Sequence, residues 1–118
     1  MVNTEMTAAV DIEGVYTLEF ASNLGFRGSG LVTLQDGHFR GNNASFEWTG
    51  SYELNGSILH AEIKVQQFSG GVSIFGVLSE FNLVVSGQFE PHKMTLTGYR
   101  TEEPSDKVVV LMARKSRL

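Results

Sequence analysis

The sequence predicts an all-β chain, a small antiparallel up-and-down β-barrel of about eight short strands with at most one short helix. Three observations carry this prediction. Apolar and polar residues alternate through segment after segment. Turn signals rich in Gly, Asn, Asp or Pro separate those segments at short, regular spacing. No helix-rich segment lies between them, which argues against a parallel α/β sheet.

Met1 to Asp11 reads as a flexible N-terminal leader, and Ile12 to Ala113 as one barrel domain. The first strand is Gly14 to Phe20, with Tyr16, Leu18 and Phe20 facing one way. Ala21 to Gly25 is a turn cluster. The second strand, Arg27 to Gln35, places Gly28, Gly30, Val32 and Leu34 on one face, and glycines there let another element approach closely. Asp36-Gly37 is a two-residue hairpin signal, followed by a short strand at His38 to Arg40.

The hairpin Phe46 to Val65 organises the chain. Phe46, Trp48 and Tyr52 share a face against Glu47, Thr49, Ser51 and Glu53. On the second arm Leu59, Ala61, Ile63 and Val65 alternate with His60, Glu62, Lys64 and Gln66. Between the arms, Asn55-Gly56 is expected to supply the two positive φ values of a type I′ turn.

Gln67 to Glu80 reads either as one short helix, from the three-residue recurrence of Val72, Phe75 and Leu78, or as a short strand and loop, from its β-branched residues and its glycine pair. Phe81 to Phe89 is a strand with Phe81, Leu83, Val85 and Phe89 inward. After the turn Glu90-Pro91-His92, Lys93 to Thr101 alternates again. A polar connection with Pro104 leads to the last strand, Lys107 to Ala113, and residues 114–118 form a basic C-terminal tail.

Composition bounds the function classes. A chain of 118 residues is one domain, able to bury roughly two-thirds of its unfolded surface without metal or disulfide staples. A formal net charge of −4 argues against direct nucleic-acid binding. The absence of cysteine removes thiol chemistry and sulfur-ligated zinc. The N-terminal segment has no basic residue or secretory pattern, and no stretch is long and apolar enough to cross a bilayer. The expectation is a cytoplasmic protein with no membrane partner.

Catalytic constellations are not visible. His38 and His92 sit at turns and His60 on a polar strand face, so no metal site is expected. Gly25-x-x-Gly28-x-Gly30 leads into a strand and lacks the helix N-terminus that would hold a phosphate. Glu47, Glu53 and Glu62 fall on outward faces, where nothing shifts a carboxyl toward catalysis. The reading is no enzyme and no cofactor. The inward aromatic set of Tyr16, Trp48, Tyr52, Phe81 and Phe89 is either a packed core or the wall of a cavity for a small apolar ligand. Val84, Val109 and Leu111 each break the polar side of their strand, and are the candidate dimer or partner surface.

The run Gly14-Val15-Tyr16, Phe20-Ala21-Ser22-Asn23, Gly28-Ser29-Gly30, Leu34-Gln35-Asp36-Gly37, Gly50-Ser51-Tyr52 and Leu59-His60-Ala61 resembles the GrlR-like negative regulators of type III secretion. Val72-Ser73-Ile74-Phe75-Gly76 and the strand from Phe81 to Gly87 are also similar. The resemblance implies a lipocalin-like barrel, a homodimer, and a bacterial cytoplasmic antiactivator that binds a transcription activator protein. The best-known member has a run of alternating acidic residues leading into its fifth strand, where this chain has only Glu53 in Glu53-Leu54-Asn55-Gly56. The alternative is a carrier of a small apolar ligand or lipid.

Overall fold

Alternation along every strand closes into one sheet. The computed structural model describes residues 12–118; the expected leader, residues 1–11, lies outside them. The described residues form β1 (Gly14–Ser22), β2 (Arg27–Gln35), β3 (His38–Asn42), β4 (Phe46–Asn55), β5 (Ile58–Gln67), β6 (Glu80–Gln88), β7 (Lys93–Arg100) and β8 (Glu103–Arg117). Each strand is antiparallel to the next, and β8 pairs back with β1. The expected eight-stranded up-and-down barrel is therefore the architecture, and every strand has a partner on both sides for at least part of its length.

Register decides what fills it. Tyr16 faces Val32, which faces Gly41, and Gly41 faces Trp48. The inward series continues through Ala61 opposite Val85 and Leu96 opposite Val110. These residues belong to one continuous apolar cluster. Inward glycines mark where the wall bends hardest. A Cβ on Gly50 would run into the Glu62 carbonyl, and one on Gly98 into the Val84 carbonyl.

The connections divide the barrel into two ends. The lower rim carries the β2–β3, β4–β5 and β6–β7 connections together with the C-terminal end of β8. The upper rim carries the β1–β2, β3–β4, β5–β6 and β7–β8 connections.

Two local readings are corrected by this geometry, at the β4–β5 turn and in the last strand, and the open one at residues 67–80 is decided for the strand and loop. Asn55 pairs with Ile58, so the central residues of the β4–β5 turn are Gly56-Ser57 rather than Asn55-Gly56. Only Gly56, at φ 64°, has positive φ there, which is the type II′ pattern, not type I′. Asp36 (φ 52°) and Gly37 (φ 79°) do make the type I′ turn of β2–β3. Residues 67–80 contain no helix: Gln67 ends β5, Glu80 starts β6, and the loop between them holds a small Ser73–Gly76 bridge. The last strand is longer than its alternation indicates. Glu103 to Asp106 and Arg114 to Arg117 both belong to β8, and Arg114 pairs with Tyr16 and Arg117 with Gly14. Most of the expected basic tail is thus paired strand.

Candidate functional site, an apolar cavity under the upper rim

The lower half of the barrel gathers the most deeply buried side chains. Tyr16, Leu34, Leu59, Leu96 and Met112 are completely buried there. The Tyr16 hydroxyl donates to the Ile12 carbonyl at 2.6 Å and accepts from the Arg114 guanidinium at 2.6 Å, while Arg114 also lies over the Tyr16 ring. The buried phenol therefore keeps both a donor and an acceptor role satisfied. Tyr52 is half-buried and packs against the same core from the lower rim. Burial pushes its phenol above the ordinary value, opposed by the Gly37 backbone.

The upper half is hollow. A cavity of about 350 Å³ lies between Leu18 and Phe20 of β1, Trp48 of β4, Val65 of β5, Leu83 of β6 and Val110 of β8. Trp48 forms one wall. It meets Phe20 edge-on with ring centroids 5.6 Å apart, and its Nε1 donates to the Leu31 carbonyl. Gly30 makes this placement fit, because a Cβ there would sit 2.5 Å from the indole ring.

The loop from Phe68 to Ser79 closes most of the top. Ile74 and Phe75 turn inward and are buried. Phe75 packs edge-on against Phe81 at 5.0 Å and lies under the Arg100 guanidinium, which is itself tied to Asp106 at 2.8 Å. Ser45 Oγ latches the loop by donating to the Gly70 carbonyl, and Gln67 Nε2 donates to the carbonyls of Ser69 and Gly71. Nearby, Asn82 donates to the Glu102 carboxylate through its side chain and backbone, which holds that carboxyl below its usual range.

One side of the upper half is not sealed by strand pairing. The β2–β3 ladder ends at Leu31 opposite Asn42, so β2 from Arg27 to Gly30 continues past the end of β3. The resulting seam borders the cavity at Gly28, Ser29, Asn43, Ala44, Gly71 and Val72. Asn43 bridges it: its Nδ2 donates to the Ser29 carbonyl, and its Oδ1 accepts from the backbone of Ser45 and Phe46. Exposed Leu24, Phe26, Phe68, Val72 and Val77 lie on the two long upper connections around this opening.

The structure divides the aromatic set foreseen from the sequence. Trp48 and Phe81 line the cavity. Tyr16 is packed below it, and Tyr52 and Phe89 sit half-buried toward the lower rim. Sequence reasoning missed Phe46, Val65 and Val110 as wall residues, although their inward alternation was visible, because only register tells how high along the barrel each one stands.

Val109 and Leu111 face outward from β8, each 43% exposed, and Val84 lies two strands away on β6, half-buried opposite Tyr99 of β7. Glu47, Glu53 and Glu62 point outward from β4 and β5, and His38, His60 and His92 lie on the exterior. Among the described residues no three His, Asp or Glu side chains converge as metal ligands, and no helix is long and apolar enough to cross a membrane. No protein-family model matches the chain, and comparison with curated proteins finds no match.

Proposed function

We propose that the chain is a non-enzymatic regulatory protein of the GrlR-like type, a cytoplasmic antiactivator that works by binding a transcription activator of type III secretion genes. The sidedness of the barrel exterior carries this reading. Around β6, β7, β8 and β1 the outward residues include Val84, Thr95, Thr97, Tyr99, Val109, Leu111 and Thr17, with Glu19, Lys93 and Lys107 charged among them and Glu80 and Asn82 at the upper end of β6. On β4 and β5 the outward residues are instead mostly charged or polar, among them Glu47, Glu53, His60, Glu62 and Lys64, with Ile58 the apolar exception at the lower end of β5. An apolar, low-charge sheet face beside a charged one is the ordinary form of a protein-binding surface. The same face is proposed as the homodimer contact, with Val84, Val109 and Leu111 at its centre.

Affinity capture from native bacterial lysate should recover a helix-turn-helix activator whose promoter binding is lost when the purified chain is added. Capture that yields no transcription factor overturns the reading. Sedimentation should show a dimer that Leu111→Asp converts to monomer with the barrel intact. A wild-type monomer at high micromolar concentration removes the dimer.

The cavity favours a second reading, a carrier for a small apolar ligand. Its volume of about 350 Å³ falls at the lower end of the roughly 300–1,000 Å³ typical of small-molecule pockets.

A further inference from the structure

The cavity, and with it the carrier reading on which this inference rests, carries a statement about ligand chemistry. Among the described residues its lining includes no Lys, His, Asp or Glu, and the one charged residue there is Arg27. Arg27 pairs with Ala21, one step out of phase with the inward pair Phe20 and Gly28, so strand alternation places its side chain outside the wall. It is exposed.

Ser29, opposite Glu19 and exposed, shares that outward phase, and the other polar side chains that border the space are engaged. Asn43 uses both ends of its amide on the chain itself, donating to the Ser29 carbonyl and accepting from the backbone of Ser45 and Phe46. Ser45 Oγ donates to the Gly70 carbonyl. Ser73 Oγ donates to the Gly76 carbonyl and accepts from the Phe75 backbone. Trp48 Nε1 donates to the Leu31 carbonyl. A carboxylate, phosphate or sulfonate held inside would lose its hydration among Leu18, Val65, Leu83 and Val110 and would meet, among the described residues, no inward cation and no uncommitted inward side-chain donor in exchange. Burying an unpaired ion is among the costliest exchanges a binding site can make. An apolar molecule loses nothing there and gains dispersion contacts on every side.

We propose that the upper half of the barrel binds a neutral, hydrocarbon-like molecule, admitted through the seam between β2 and the β3–β4 connection, and discriminates against ligands with an ionised headgroup. This sets the ligand apart from a free fatty acid, whose charged end would need a cation the interior does not offer.

Two probes of matched shape test it on the full chain. N-phenylnaphthylamine is a neutral fused-ring amine; anilinonaphthalene sulfonate carries the same rings and a sulfonate. The neutral probe should bind with enhanced emission and quench Trp48, at least about tenfold more tightly than the sulfonate. Failure of both probes to bind would end the carrier reading. Binding of the sulfonate as tightly as the neutral probe would leave a carrier but overturn the exclusion of charge. Val110→Phe places a ring in the cavity and should weaken the neutral probe at least about tenfold; unchanged affinity in a folded variant would put the probe elsewhere and overturn the assignment. Should that variant not fold, Ala44→Phe, at an exposed seam position, should slow association of the neutral probe several-fold, and an unaltered rate would overturn access through the seam.

Discussion

The two ends of the barrel are built from the same eight strands and the same inward alternation, yet one gathers fully buried side chains and the other holds a cavity. Below, the β2–β3 and β4–β5 hairpins turn through Asp36-Gly37 and Gly56-Ser57, so their strands stay paired to the rim. Leu34, Leu59, Leu96 and Met112 converge with Tyr16 and are fully buried. Above, β3 stops short of β2, and residues 68–79 separate β5 from β6. The interior there is covered by a loop that contributes Ile74 and Phe75 as a partial plug. Connection length and one foreshortened strand, rather than hydrophobicity, thus decide which half of the barrel can hold something other than itself. Interiors that close completely do so at near-crystalline density.

The comparison is tested most strongly by making one substitution at both ends. Leu59→Ala removes a fully buried side chain from the packed half, and should cost about 4 kcal/mol, because it opens a new void that its neighbours cannot fill. Leu83→Ala, on the cavity wall, should cost about 2 kcal/mol, since the lost methyl groups already faced space on one side. Urea denaturation of both variants measures the difference. Equal costs would mean the upper half is as well packed as the lower, and the cavity would lose its standing as a site.

A second, smaller effect asks what keeps Trp48 in the wall. Gly30→Ala would bring a methyl group 2.5 Å from the indole and 2.8 Å from the Asn42 carbonyl. Something must shift, at a cost of about 1–3 kcal/mol. The shift should also change the emission of Trp48, the sole tryptophan. Destabilisation with unaltered Trp48 emission would place the strain in the backbone alone. An unchanged midpoint would show that Gly30 is not what makes room for the ring.

How much of this was legible beforehand differs between the ends for a physical reason. Alternation names the inward residues of each strand, so Tyr16, Trp48, Leu59 and Val85 were readable as interior without any coordinates. Height along the barrel is a property of register, and register belongs to pairs of strands. That is why Tyr52 and Trp48, two inward aromatics of one strand, looked equivalent and prove to stand at opposite ends. The same cause explains the β4–β5 turn. Asn55-Gly56 is a strong local signal, but the pairing of Asn55 with Ile58 makes Gly56-Ser57 the turn instead. Arg114 and Arg117 were read as tail because charge masks a strand whose partner, β1, lies almost the whole chain away. The three-residue recurrence of Val72, Phe75 and Leu78 pointed to a helix that does not form and passed over Ile74, since a plug is held by single contacts such as the Phe75–Phe81 ring pair, not by a repeating pattern.

pH provides the gentlest way to address the two ends separately. Tyr52, at the lower rim, has its phenol raised above 10.0 by burial, with Glu13, Tyr16 and Asp36 nearby also disfavouring the phenolate. The folded chain therefore holds that proton more tightly than the unfolded chain. The stability this contributes is fully present below the unfolded phenol value and is lost as pH rises from there through the higher folded value. Among the described residues the cavity lining holds no Tyr, Lys, His, Asp or Glu. Denaturation midpoints measured across the alkaline range should fall for the wild-type chain and fall less steeply for Tyr52→Phe. The affinity of the neutral probe should hold constant in both while the barrel remains folded. Identical slopes in the two proteins would show that Tyr52 is not the group that senses alkali. A probe affinity that fell together with the midpoint would mean the packed end and the hollow end do not behave as separate halves.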